Sequence, residues 1–409
     1  MKFYWPAPLD LIDPTYNFVQ NGGFYGAAKH QHQLYPHEVF PEPVYHGFMI
    51  SKAHAEKGYA RWNSAQLNRF LREGAKRFMR TQPAALTIMG DSGAYTNNTT
   101  TDCQGHLIDQ CLAVVNFYNA IGVDYGLAPD NMISGSAGDA RISPSQYLDW
   151  RHRWHRTHAL AETFLALYRK KSPRWQPIGV AQGWDPDSYQ ASVAALQQMG
   201  YCYIALGGLN CLKSAAIVEC VTACFLAKAE KTEFHLLGVS RAEHMALFAQ
   251  LGVTSFDSTM PMRQAVKDDK DNFHGKEGHY AAIKLPPTES SPRLQKLIRS
   301  QILSADRVQE LEQMTLASLR HFDQGIMCLE DVLEILKAGS DYRQEVDYAD
   351  QYRRLLHDRP WRRCACIMCS RTGIEIVLLR NRELNLRRGF HNLYVFSNKL
   401  KATFPSDWY

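Results

Sequence analysis

The chain has 409 residues, of which 45% are hydrophobic and 21% charged, and its formal net charge is +5. This composition is that of an ordinary globular protein and excludes a disordered one. The mild positive charge permits a polyanionic partner without requiring one. No apolar run approaches the ~18 residues of a membrane span, and the N-terminus lacks the apolar segment of a signal peptide. We therefore expect a cytoplasmic protein that makes no contact with membranes.

The first sixty residues are rich in Pro, His, Tyr and Phe. They predict irregular structure with one strand around residues 45–50, followed by a helix that has Ser64 as its N-cap and runs to residue 80. His30, His32 and His37 have no cysteine or carboxylate at ligand spacing, which favours surface or hydrogen-bonding roles over a metal site.

From residue 84 onward, short apolar runs alternate with helical patterns. The predicted strands lie at residues 84–89, 123–128, 177–181, 202–206, 234–238 and 253–256. The predicted helices between them lie at residues 106–120, 143–170, 185–200, 215–229 and 240–251. Short connections between alternating strands and helices imply a parallel sheet. Together with the strand at 45–50, the pattern predicts a (β/α)8 TIM barrel.

A barrel of this kind needs ~250 residues, so a large remainder follows it. We expect residues 1–261 to form the barrel core with its irregular N-terminal segment. Residues 262–359 predict a charged loop and a helical insertion, with a break at Gly339-Ser340. Residues 360–409 contain three clustered cysteines, Cys364, Cys366 and Cys369, and predict a zinc-binding subdomain with a strand at 374–379 and a final helix from residue 392.

The ten cysteines fall into two groups. Seven are scattered among apolar residues and are expected to be buried reduced thiols. The other three, Cys364, Cys366 and Cys369, lie within six positions and are followed by His391. Three cysteines and a histidine predict tetrahedral Zn²⁺, and four protein ligands leave no open position for catalysis. The zinc is therefore expected to be structural.

Polar residues and glycines follow the predicted strands. They are Asp91, Asp130, Gln182, the Gly207-Gly208 pair and Asp257. The C-terminal ends of all barrel strands share one rim, so these residues are expected to meet there. Carboxylates, an amide and approachable backbone together suit the hydrogen-bonding edge of a flat heterocycle.

These residues carry a resemblance to the tRNA-guanine transglycosylases. The matching stretches, in the order of that family, are Asp-Ser-Gly-Ala-Tyr at 91–95, residues 124–130, Gly-Val-Ala-Gln-Gly at 179–183, Ala-Leu-Gly-Gly-Leu at 205–209, Gly-Val at 238–239 and Phe-Asp-Ser-Thr-Met-Pro at 256–261. The cysteine cluster with His391-Asn392-Leu393 resembles the zinc site of the family, with a shortened loop. The resemblance covers roughly residues 80–261 and 360–395.

The resemblance implies a pentosyltransferase in which Asp257 is the nucleophile and Asp91 the general acid/base. It implies that the base is held by Asp130, Gln182, Gly207, Gly208, Leu209 and Ser92. Exchanging a base without cutting the strand requires a group that holds C1′ of the sugar after one base has left and before the next has entered. A carboxylate can do this covalently through an oxocarbenium-like transition state, as in retaining glycosidases. A second carboxyl group then moves the proton of the base.

Other interpretations of these residues are weaker. Gly90-Asp91-Ser92-Gly93 also resembles the nucleophile region of serine proteases, but that fold has no strand–helix alternation. An aspartate at a strand end is often only a helix N-cap. Two such aspartates in one motif order with Asp130 and Gln182 favour the catalytic interpretation.

The chain departs from the tRNA enzymes in ways that bear on its substrate. Met262-Arg263-Gln264 replaces the Thr-Arg of the family, and about a hundred residues separate Asp257 from Cys364. Lys213 stands where bacterial tRNA enzymes have a glutamate suited to the cationic aminomethyl group of preQ1. A lysine repels an ammonium group but tolerates the neutral nitrile of preQ0. These departures are similar to those of the DpdA proteins, paralogues that place 7-deazaguanine bases in DNA.

The region around the cysteine cluster is basic, with ten arginines against three carboxylates between residues 353 and 388. Such an excess fits a polyanion, although a solvated surface gives the same pattern. The candidate contacts to nucleic acid are Arg263, Arg362, Arg363, Arg387 and Arg388.

The predicted function is therefore that of a DNA-guanine transglycosylase that inserts preQ0 into double-stranded DNA. Reaching guanine in a duplex requires its extrusion, and other proteins of a DNA-modification system are candidate partners. A tRNA-guanine transglycosylase of the queuosine or archaeosine type is the alternative. The alternative from another functional class is a catalytically silent subunit that binds nucleic acid and is stabilised by zinc.

Overall fold

The computed structural model describes residues 1–6, 9–19, 22–23, 29–55, 62–82, 84–94, 104–136, 142–171, 173–267 and 270–408. The chain forms two compact units. The first comprises Met1–Leu9, Tyr45–Thr259 and Leu400–Tyr409, and the second comprises Asp10–Val44 and Met260–Lys399. The predicted boundary after residue 261 lies close to the end of the barrel segment. The sequence did not indicate that residues 10–44 belong with the C-terminal half, or that 262–359 and 360–399 form one unit.

Eight parallel strands close into a barrel, which confirms the predicted fold class. They are β1 (Lys2–Trp5), β2 (Gly47–Ser51), β3 (Thr87–Asp91), β4 (Tyr125–Leu127), β5 (Gln176–Ala181), β6 (Tyr203–Leu206), β7 (Glu233–Leu236) and β8 (Val253–Asp257). Each strand pairs with the next in the sequence, and β1 closes the barrel against β8.

The helices of the described residues follow in chain order. They are α1 (Lys29–His32), α2 (Pro36–Val39), α3 (Ser64–Glu73), α4 (Ala75–Phe78), α5 (Gln104–Ile121), α6 (Pro144–Lys171), α7 (Pro186–Met199), α8 (Ser214–Leu226), α9 (Met245–Gln250), α10 (Met260–Lys267), α11 (Pro292–Arg299), α12 (Ala305–Asp323), α13 (Leu329–Tyr342), α14 (Ala349–Asp358), α15 (Pro360–Arg363), α16 (Ile367–Thr372) and α17 (Arg382–Thr403). Two small sheets add β9 (Phe273–His274) with β10 (His279–Tyr280), and β11 (Ile283–Lys284) with β12 (Leu378–Leu379). In the described part of the chain, no helix is long and apolar enough to cross a membrane.

Strand β1 is the barrel strand that the sequence did not predict. It has four residues and lies in a segment that otherwise indicates irregular structure. Its pairing places Tyr4 opposite Asp257 on β8, and the ring of Phe3 stacks on Phe256 at 5.0 Å. The first residues of the chain therefore support the strand that carries the predicted nucleophile.

Several predicted element ends differ from the structure because local backbone geometry overrides the pattern. The helix predicted over residues 64–80 is capped by Asn63 and breaks at Gly74, whose φ of +75° is not helical. The helix predicted over residues 240–251 is shorter in the structure, where a 3-10 segment, Ala242–His244, precedes α9.

The C-terminal half also differs in detail from the prediction. The stretch predicted as a loop after residue 262 begins with α10, and Gly339 lies inside α13 instead of breaking it. Residues Gly373–Val377 form a 3-10 helix that leads into the two-residue strand β12, and the final helix begins ten residues earlier than predicted, at Arg382. The helical insertion itself is confirmed as α11–α14.

The barrel interior holds a cluster of buried side chains drawn from strands β1 to β6. These are Tyr4, Met49, Met89, Leu127, Ile178, Val180, Tyr203 and Ala205. Outside the sheet, Tyr118 of α5 packs directly on β3. A Cβ at Gly90 would lie 2.4 Å from the Tyr118 ring, so only glycine allows this approach next to Asp91.

Candidate active site and metal centre

Asp257 is the last residue of β8 and is nearly buried, with 7% of its surface exposed. Its Oδ1 accepts a hydrogen bond from the backbone N–H of Gly238 at 2.9 Å. The same oxygen lies 3.2 Å from Nε2 of His235, a fully buried residue of β7. A carboxylate held by two groups at one oxygen is oriented for attack by the other.

Asp91 ends β3 in register with Ser51 on β2. The Ser51 hydroxyl and the backbone N–H groups of Ser92 and Gly93 hydrogen-bond its carboxylate. Burial nevertheless raises the pKa of Asp91, and the negative charge of Asp257 raises it further. A carboxyl group with a raised pKa holds a proton more readily than an ordinary aspartate does, which suits the acid/base role.

Asp130 and Gln182, which are predicted to bind the base, form a buried hydrogen-bonded pair. Gln182 Nε2 donates to Asp130 Oδ2 at 2.7 Å, and the backbone N–H of Ile133 donates to Gln182 Oε1 at 3.2 Å. These two bonds fix the orientation of the amide. Burial raises the pKa of Asp130 to about 7. The charge of Asp91 also raises this pKa, whereas the hydrogen bond from Gln182 lowers it.

The glycine pair after β6 is required by the position of Gln182. A Cβ on Gly207 would lie 2.3 Å from Gln182 Nε2, and a Cβ on Gly208 would lie 2.6 Å from the carbonyl oxygen of Ile133. Gly208 also has a φ of +77°. Leu209 follows in a 3-10 turn and is fully buried.

Ser92 offers a further polar group beside Asp91. Its residue is 4% exposed, and its hydroxyl has no hydrogen-bond partner among the described residues. A buried hydroxyl without a partner is costly unless a ligand satisfies it. Tyr95, the last residue of the same motif, lies outside the described residues.

The structure thus brings the predicted catalytic and base-reading residues together on the rim of the barrel. The charge of Asp257 raises the pKa of Asp91, and the charge of Asp91 raises the pKa of Asp130, so the three carboxyl groups are close enough to interact. Sequence reasoning missed His235 and Ser51. A histidine inside the apolar run of β7 was the available signal for His235, since a buried imidazole needs polar partners.

The four predicted zinc ligands also converge, in the second unit. The ligand atoms of Cys364, Cys366, Cys369 and His391 all lie within 4.8 Å of one another. His391 Nδ1 is 3.6, 3.4 and 3.3 Å from the three sulfurs in that order. Tetrahedral zinc, with Zn–S about 2.3 Å and Zn–N about 2.0 Å, separates sulfur and nitrogen by about 3.5 Å. The residues therefore fit the ion.

Surrounding groups orient these ligands. His391 Nε2 lies 2.7 Å from the carbonyl oxygen of His274, so Nε2 carries the proton and Nδ1 faces the sulfurs. The backbone N–H groups of Cys366 and Cys369 point at the sulfurs of Cys364 and Cys366. Such donors favour thiolates. The donor set is complete without an open position, as a structural site requires.

The prediction that Arg387 and Arg388 contact nucleic acid is wrong. Both are buried in α17. Arg387 binds Glu383 at 3.0 Å and the carbonyl oxygen of Asp13 at 2.6 Å, whereas Arg388 donates twice to the carbonyl oxygen of Ala265. These guanidinium groups hold segments of the second unit together.

Three of the candidate arginines stay at the surface. Arg263 and Arg363 are exposed, and Arg362 is half-exposed with its Nε 2.7 Å from Asp323 Oδ1. Elsewhere in the basic region, Arg353 pairs with Glu330 and Arg380 with Glu312. The positive charge available to a partner is therefore smaller than the count of ten arginines against three carboxylates suggests.

The scattered cysteines are only partly buried as predicted. Cys111, Cys220 and Cys224 are buried, whereas Cys202, Cys211 and Cys328 are exposed. Cys103 lies outside the described residues.

Comparison with known proteins gives two findings. The family described as "Queuine tRNA-ribosyltransferase" matches residues 43–275. The chain is also similar to a protein of Salmonella montevideo named "DNA-guanine transglycosylase". The two are 36% identical over 412 residues, which cover 98% of this chain and 97% of that relative.

Proposed function

The chain belongs to the queuine tRNA-ribosyltransferase, or tRNA-guanine transglycosylase, family, and from this premise we propose that it modifies DNA. Membership of the family makes it a pentosyltransferase that exchanges a guanine base. The proposal is that it exchanges guanine in double-stranded DNA for preQ0, through a covalent bond between Asp257 and C1′.

One observation carries the choice of DNA. The relative named for DNA-guanine transglycosylation matches nearly the whole of both chains, so the similarity includes the helices α11–α14 that lie beyond the family match. The family description itself refers to tRNA and favours tRNA as the second candidate substrate. A silent binding subunit is less well supported, because Asp91 and Asp257 are held by hydrogen bonds in a polar site.

In the proposed first half-reaction, Asp257 attacks C1′ of a deoxyguanosine while the bond from C1′ to guanine N9 breaks. Asp91, whose raised pKa lets it hold a proton, protonates the departing guanine. The deoxyribose stays attached to Asp257, so the phosphodiester backbone remains intact.

In the second half-reaction, preQ0 occupies the same pocket and gives its N9 proton to Asp91. N9 then attacks C1′, and the carboxylate of Asp257 leaves. In both half-reactions, hydrogen bonds to the edge of the base come from Asp130, Gln182 and the backbone at Gly207-Gly208. Ser92 is a further donor or acceptor.

The cysteine–histidine cluster would hold Zn²⁺ as a structural ion. When bound, zinc would link α16 with α17 and supply folding energy to the second unit. The residues of the reaction lie on the barrel, so no step of the exchange uses the ion.

Contacts to the DNA backbone would come from exposed cations, with Arg263 and Arg363 as the first candidates. We also propose that this protein acts together with other proteins of a DNA-modification system and that it is located in the cytoplasm. Preference for preQ0 rests on Lys213, an exposed residue just before α8.

The proposal is tested by incubating the purified protein with preQ0 and either plasmid DNA or bulk tRNA, followed by nucleoside mass spectrometry. We expect the preQ0 deoxynucleoside in the DNA digest and no preQ0 ribonucleoside in the tRNA digest. Product in tRNA alone contradicts the choice of DNA. A parallel incubation with preQ1 tests the base, and preferred use of preQ1 contradicts the role given to Lys213.

A further inference from the structure

A chain of hydrogen bonds runs from Asp257 into the barrel through three neighbouring strands. Asp257 Oδ1 lies 3.2 Å from His235 Nε2, and His235 Nδ1 lies 2.6 Å from Ser255 Oγ. Ser255 Oγ in turn hydrogen-bonds the hydroxyl of Tyr203. His235 and Ser255 are fully buried and Tyr203 is 4% exposed, so water does not compete for these bonds.

The proton positions along this chain follow from the chemistry of Asp257. As a nucleophile it is ionised, and an ionised carboxylate only accepts hydrogen bonds. His235 Nε2 must therefore carry the proton. In a neutral imidazole Nδ1 is then the acceptor, so Ser255 donates to it and accepts from Tyr203. Each donor in the chain points toward the nucleophile.

The two oxygens of Asp257 consequently have different surroundings. Oδ1 receives the imidazole N–H and the backbone N–H of Gly238, whereas Oδ2 makes no hydrogen bond or ion pair to the described residues. Building on the proposed function, we propose that His235 is a positioning residue that leaves Oδ2 to attack C1′ and stabilises the charge on Oδ1.

This arrangement acts differently on the two halves of the exchange. When Oδ2 bonds to C1′, Oδ1 becomes a neutral ester carbonyl oxygen and its hydrogen bonds weaken. When the incoming base displaces the carboxylate, the negative charge returns and the two donors hold it again. His235 therefore favours breakdown of the covalent intermediate over its accumulation.

Replacing His235 by Leu tests this role, because Leu fills the buried space without a donor. A hydrogen bond to a charged group changes an equilibrium by about 10- to 100-fold. We expect His235→Leu to lower turnover by that factor while the fraction of enzyme trapped as covalent DNA adduct rises. His235→Gln, whose amide nitrogen can occupy the place of Nε2, should restore part of the turnover.

Tyr4→Phe is the matched control. The Tyr4 ring packs edge-on against His235 at 6.0 Å, and its hydroxyl accepts from Thr87 Oγ1 at 3.2 Å, apart from the chain to Asp257. This variant removes a buried hydroxyl from the same layer of the barrel, so it reports on core perturbation alone. We expect both its turnover and its adduct fraction to stay near those of the wild type.

The outcomes separate the two proposals. A fall in both turnover and adduct in His235→Leu, without recovery in His235→Gln, would show that His235 only supports the fold and would overturn the positioning role. A wild-type enzyme that exchanges bases but never yields an adduct would overturn both this role and the covalent mechanism. A wild-type adduct with tRNA alone would refute the DNA substrate and leave the role of His235 supported by the variant pattern.

Discussion

Replacing Asp130 by Asn should stabilise the protein above neutral pH while abolishing base recognition. The asparagine side chain has the shape of the aspartate that it replaces. Its carbonyl oxygen can still accept the hydrogen bond from Gln182 Nε2, which is 2.7 Å from Asp130 Oδ2 in the wild type. The substitution therefore removes the buried charge and preserves the packing. Loss of the carboxylate removes the acceptor that we assign to the guanine edge.

The size of the effect follows from the pKa of Asp130. Burial raises it from an ordinary value of 3.8 to about 7. A shift of that size corresponds to about 4 kcal/mol, at about 1.4 kcal/mol for each pH unit. Between these two pH values the folded state holds a proton that the unfolded state has released, so the free energy of unfolding falls as the pH rises. The penalty is absent near pH 4 and complete above pH 7.

The measurement is urea unfolding of wild type and Asp130→Asn at a series of pH values from 4.5 to 8.5. We expect the variant to gain stability over the wild type progressively up to about pH 7, to about 4 kcal/mol, and then to level off. A difference between the two proteins that does not change with pH would refute the assignment of a raised pKa to a buried Asp130. Wild-type exchange activity in the variant would refute its role in reading the base.

Four further predictions concern other parts of the molecule. Cys366→Ser should lose bound zinc and lower the melting temperature of the second unit, as measured by metal content and calorimetry; retained zinc would contradict the ligand set. Gly90→Ala should reduce exchange at least 10-fold, because its Cβ would meet the Tyr118 ring at 2.4 Å beside Asp91. Lys213→Glu should shift base preference from preQ0 toward preQ1 in competition assays, and an unchanged ratio would show that Lys213 does not face the base. Arg363→Glu should weaken DNA binding and reduce its salt dependence by about one counterion, whereas an unchanged salt slope would exclude this contact.

The group of polar residues on the barrel rim was largely predictable because it depends on local features of the sequence. An apolar run ended by Asp91 or Asp257 marks both the strand and the face at which its side chain emerges, and parallel barrels collect such ends on one rim. The cysteine–histidine cluster was predictable for a similar reason, since three of its four residues lie within six positions.

What the sequence did not reveal depends on distant partners. Strand β1 is a strand because it pairs with β8, about 250 residues later in the chain. Arg387 and Arg388 resemble surface cations until the carbonyl oxygens of Asp13 and Ala265 are seen to bind them. The contact of His235 with Asp257 likewise appears only when β7 and β8 are adjacent.

The most direct test of the central claim is to trap the covalent intermediate on Asp257. Wild-type protein is incubated with a guanine-containing DNA duplex without a free base, denatured and digested with protease, and the DNA-linked peptide is identified by mass spectrometry. We expect a peptide in which Asp257 is joined to a deoxyribose that has lost guanine; this peptide should be absent from Asp257→Ala and should be released by preQ0. An adduct on another residue, or guanine exchange by Asp257→Ala, would contradict it.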